Sequence, residues 1–111
     1  MLLHGVVASD TIRQVVPQVC NRVCTAIRWH TLGSKSMGIL GAALYAADYM
    51  EPLRSHLAMG ERDVLLACTT IEELCHTIAV RHHDHIVERG KKPAESTMDL
   101  IRFLSEGGHF S

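Results

Sequence analysis

Two histidines, His82 and His85, close a row of side chains, Val64, Cys68, Ile71, Cys75 and Ile78, that alternate at spacings of four and three along the chain. Such a row lines one helical face, and its change from apolar residues to imidazoles makes the end of that face ionisable. Imidazoles one turn apart could ligate a divalent ion, but a site needs a third or fourth donor from the same side. His83 points away and shares its side with His76, while Glu72 and His76 form an i, i+4 pair on another face. None of these spacings is HExxH, a zinc-finger pattern or the ExxH pair of a di-iron bundle, so no metal ligand and no cofactor is expected.

The cysteines offer a second possible chemistry. Cys20 and Cys24 stand one helical turn apart, and Cys68 and Cys75 two turns apart. Four thiolates between two helices could hold zinc, yet each cysteine lies in an apolar helical pattern where thiols pack as small hydrophobes. No CxxC occurs, so these thiols read as reduced, buried and cytoplasmic. Catalysis would need a nucleophile with its base, or paired carboxylates in a cleft, and the chain holds no nucleophile elbow or phosphate loop. The expectation is therefore that the protein is not an enzyme.

These residues require helices to carry them. Ser9-Asp10 reads as the cap of a first helix, with Ile12, Val15, Val16, Val19, Cys20, Val23 and Ile27 on its apolar face and an end at Gly33. Pro17 predicts a kink or a new helix start within it. Ser34-Lys35-Ser36 caps a second helix to about Met50, where Gly38, Gly41, Ala42, Ala43, Ala46 and Ala47 form a small-residue surface that a neighbour can approach closely. After Pro52 and Gly60, a third helix runs from about Glu61 to Glu88 without proline or glycine, a span of roughly 40 Å. Arg89-Gly90-Lys91-Lys92 stops it, with cations at the negative end of the helix dipole. Pro93 opens a last short helix that closes at Gly107-Gly108. The expected architecture is an all-α bundle of about four helices, with one dominant helix at 61–88, in a single domain spanning 1–111.

Composition narrows the partners. Eleven basic and 12 acidic side chains leave a formal charge of -1, too balanced for a protein that binds by neutralising phosphates. The helix near Arg102 is apolar on two sides, which argues against a DNA-reading role. No apolar run reaches the roughly 18 residues of a membrane span, and the opening Met1-Leu2-Leu3 lacks a basic leader and is interrupted by His4 and Gly5.

A long amphipathic helix without visible chemistry points to a protein that works by binding another. The expected interface is Val64, Cys68, Ile71, Cys75 and Ile78, with His82, His85 and Arg89 as its polar margin. The expected partner is a protein, and the chain itself is expected to be a homodimer. The long helix, the basic stop and the short last helix resemble the small all-helical antiactivators of LuxR-type quorum-sensing regulators. That resemblance implies a stoichiometric inhibitor of a transcription factor, without enzymatic activity. The alternatives are a metal- or pH-responsive sensor built on the histidine cluster, and a small enzyme of unspecified reaction.

Overall fold

A computed structural model describes residues 4–15, 21–51 and 60–111, without the side chains of residues 4–6, 61 and 62. Six helices occur among the described residues: α1 (His4–Val15), α2 (Asn21–Trp29), α3 (Gly38–Tyr49), α4 (Glu61–Leu66), α5 (Ile71–Glu88) and α6 (Glu95–Ser105). The fold is all-α, with no strand among these residues.

The helix expected over 61–88 is two helices. The chain leaves helical geometry after Leu66 and restarts at Thr70, whose backbone is extended and whose side chain accepts a hydrogen bond from the Glu73 amide at 3.0 Å. The Glu73 carboxylate reaches back to the Thr69 amide and hydroxyl at 3.3 and 3.2 Å. This is a variant of the reciprocal capping box, and it satisfies donors that a continuous helix would have paired internally. At the far end, Gly90 takes a positive φ of 73° while Lys91 N–H donates to the Ile86 carbonyl at 3.1 Å, the bond of a Schellman stop.

The first helix also differs from its expected bounds. Ser9 and Asp10 lie inside α1, because Ser9 is used across the helix pair: its hydroxyl is buried and donates to the Cys24 carbonyl at 3.0 Å. The expected kink at Pro17 and the chain after Pro52 lie outside the described residues.

α3 is the central element. A Cβ at Gly41 would come within 3.3 Å of the Ala26 Cα, so the bare glycine lets α2 and α3 touch backbone to backbone. On another side α5 approaches until the Cys75 thiol donates to the Ala42 carbonyl at 3.6 Å. Tyr45, Leu65, Ile78, Ala79 and Leu100 fill the space between these helices and α6.

The seam read from the sequence is therefore largely spent inside the chain. Cys75 and Ile78 are fully buried, and the half-buried Ile71 packs against the same core. Val64 is exposed on the separate α4, and Cys68 sits in the break between helices. Beyond the core, His82 is half-buried, while His85 and Arg89 are exposed.

The turn between α2 and α3 is tightly built. Gly33 has φ of 76°, its amide donates to the Trp29 carbonyl at 2.8 Å, and a Cβ there would lie 2.9 Å from both Tyr45 and Leu100. From α6, the Thr97 hydroxyl donates to the Leu32 carbonyl at 2.7 Å. Gly33→Ala combines left-handed backbone strain with overpacking and should lower stability by about 2–4 kcal/mol in urea unfolding. Gly90→Ala, at a similar φ but with open space around it, should cost only about 1–2 kcal/mol.

Burial also shapes the alkaline limit of stability. Desolvation, followed by the nearby Glu72 charge, pushes the Cys75 thiol from 9.0 up to about 12. Burial, reinforced by Cys75 and Tyr49, raises the Tyr45 phenol as well. An unfolded chain then gives up the Cys75 proton above about pH 9, whereas the folded chain keeps it up to about 12. Stability should accordingly fall between those values, by up to roughly 1.4 kcal/mol per pH unit for each such group. Urea midpoints at pH 8 and 11 test this, and Cys75→Ala should flatten the difference.

Candidate functional site

The register of the first two helices is fixed by two contacts, Ser9 to Cys24 and Arg13 to Asn21 at 3.1 Å. Numbers rise in one helix as they fall in the other, so α1 and α2 are antiparallel. Position 4, at the start of α1, is thereby level with the end of α2, where Trp29 and His30 lie.

The second register is parallel. Residue 26 faces residue 41, and residue 33 faces residue 45, so the chain from α2 into the turn advances along α3 towards its C-terminal end. Asp48 lies there, one turn beyond Tyr45 and on the same side of the helix. The end of α2 thus lies level with the start of α1 and is directed towards the end of α3, while α1 and α3 themselves make no close backbone approach among the described residues.

The local chemistry at this end is specific. His30 is half-buried at the first residue of the tight turn, and its Nδ1 bonds the Ile27 carbonyl. With Nδ1 donating its proton to that carbonyl, the lone pair falls on Nε2, the tautomer suited to accepting a proton or coordinating an ion. Asp48 is a half-buried carboxylate in the last turn of α3, the negative end of the helix dipole, and no basic residue accompanies it in that turn. A carboxylate so placed works against helix stability by about 0.3–1 kcal/mol, which marks it as serving something other than the helix.

The clusters singled out from the sequence do not converge. His83 Nδ1 stands 3.2 Å from the carboxylate of its neighbour Asp84, and His85 projects into solvent. Glu72 and His76 serve different partners: the Glu72 carboxylate accepts the Phe110 amide at 3.0 Å, with His109 Nδ1 at 3.9 Å, and His76 Nε2 lies 3.0 Å from the Ser105 hydroxyl. These contacts fasten α6 and the segment after it to α5. Cys24, Cys68 and Cys75 are free thiols, and Cys20 lies outside the described residues. Among the described residues no three His, Cys, Asp or Glu side chains gather as a metal site, a statement that does not extend to the His4 side chain. No described helix is long and apolar enough to cross a membrane.

Sequence reasoning passed over His30 and Asp48 because they are far apart in the chain and form no spaced motif. The signal available was Asp48 itself, an acid where a helix end favours a base.

No protein family model and no curated protein matches the chain. Among solved structures, the chain is similar to a predicted HD superfamily hydrolase involved in NAD metabolism from Clostridium acetobutylicum, determined at 1.50 Å. The two share 24% identity with a TM-score of 0.82, over 94% of this chain and 55% of the other. The chain therefore spans about half the length of the structure it matches. This likeness corrects the expectation of a non-enzymatic interaction regulator, and with it the expected roles as an antiactivator in quorum sensing and transcription regulation: the helical arrangement that suggested them is the fold of a protein described as a hydrolase.

Proposed function

We propose that this chain carries part of the active site of a hydrolase acting on a nucleotide of NAD metabolism, with His30 and Asp48 as the residues that activate water. The observation that carries the reading is the likeness to the Clostridium acetobutylicum protein across nearly the whole chain. Supporting it is the register that levels the start of α1 with the end of α2 and directs the end of α2 towards the end of α3. Reduced cysteines and a role in nucleotide turnover fit a cytoplasmic enzyme.

Hydrolysis requires a water to lose a proton as it attacks. His30 offers Nε2 as acceptor, held in that tautomer by the Ile27 carbonyl. Asp48, a half-buried carboxylate at the end of α3, supplies a second hydrogen-bond acceptor for that water. The packing of Gly33 on Tyr45 and Leu100 would keep the His30 turn in one geometry during turnover.

The test is hydrolysis of a panel of NAD-related mononucleotides and dinucleotides, with products separated by chromatography, using the polypeptide as its cell makes it. His30→Ala and Asp48→Asn should each reduce kcat by about 100-fold or more while leaving the helical signal unchanged. His85→Ala, on exposed α5 surface, should leave kcat unaltered. Absence of hydrolysis across the panel, or full activity in both site variants, would overturn the reading.

A further inference from the structure

α3 is apolar around its whole circumference, yet only one side of it is covered. No charged residue occurs from Gly38 until Asp48. Gly41, Ala42, Tyr45 and Ala46 are buried against α2, α5 and α6, whereas Ile39, Leu40 and Leu44 are 46%, 41% and 39% exposed, with Ala43 and Ala47 exposed between and beside them. A helix of this composition belongs in an interior, because its second face otherwise keeps apolar surface in water. Ile39 and Leu40 also line an open depression of about 500 Å³ at the start of α3, so the uncovered face continues into a recess.

The occupant follows from the extent of the fold. The matched structure continues well beyond the part this chain spans, while the chain is used almost entirely in the match. We propose that the Ile39, Leu40 and Leu44 face of α3 docks a helical segment from outside residues 1–111, which supplies the portion of the fold that this chain does not span. Leu40 and Leu44 stand one turn apart with the small side chains of Ala43 and Ala47 beside them, an arrangement of knobs and recesses. It fits a helix presenting leucine- or isoleucine-sized side chains at spacings of three and four. The inference rests on the fold and on α3, and it stands or falls independently of the hydrolase chemistry.

The experiment places a photo-crosslinking residue, p-benzoylphenylalanine, at position 44 in the chain's own cell, with the same probe at exposed Glu88 on α5 as control. Crosslinked peptides are identified by mass spectrometry. The expected product joins position 44 to a segment outside residues 1–111; a structure of the pair should place that segment as a helix in the unspanned part of the Clostridium acetobutylicum fold. Leu40→Glu should reduce its yield by about tenfold or more, since docking would bury an unpaired carboxylate. Should Leu40→Glu lose its helical circular dichroism, Leu40→Asn takes its place. A crosslink to a second copy of the chain, a crosslink to a segment that does not complete the fold, or no crosslink above the Glu88 control would overturn the proposal.

Discussion

The close approach of two backbones at Gly41 and Ala26 sets the geometry of this molecule. Any larger residue at position 41 would strike Met37 and move α2 away from α3, and the turn that joins them would shift with it. Because α3 is built of glycine and alanine on this side, α2 settles at backbone distance and carries His30 along α3 towards Asp48. The same economy of bulk serves the other side, where the Cys75 thiol bonds directly to the Ala42 carbonyl. Packing at this density resists small displacements, since there is little empty volume into which side chains can relax.

The end of the molecule that carries His30 depends on that rigidity more than on any one hydrogen bond. Each of the first three helices is fixed by a different contact: α1 by the buried Ser9 hydroxyl, α2 by the turn at Gly33, and α3 by its central place in the core. The candidate groups thus sit on regular elements or next to them, which holds such groups more closely than a long loop would. Residues with more conspicuous chemistry in the sequence serve elsewhere. Glu72 and His76 secure the end of the chain to α5, and two of the cysteines are core residues.

The parts of this arrangement that were legible in the sequence are those written in local periodicity and stops. The apolar row through Cys75 and Ile78 marked a real buried face, and Gly90 and Gly107 end helices through their positive φ. The break between α4 and α5 was hidden because Val64, Cys68 and Ile71 keep heptad spacing across it, although Thr70 and Glu73 spell a capping box. Ser9 passed for a cap because its true partner, the Cys24 carbonyl, is on another helix. The placement of His30 towards the Asp48 end of α3 was illegible for the same reason: it arises from how α2 lies along α3, which no spacing within either helix records. The face of the seam used for the core could not be told from one used for a partner, since both need the same periodicity.

The Thr97 hydroxyl on the Leu32 carbonyl gives the turn after His30 an anchor on α6, far away in the chain. The alignment of the imidazole is consequently inherited from a helix that contributes no candidate group of its own. Substitutions accumulating along α6 would be screened for their effect on that anchor as strictly as substitutions at the turn itself. The tolerance of this protein to sequence drift is thus set by its connectivity, with intolerant positions scattered along the chain and gathered in space.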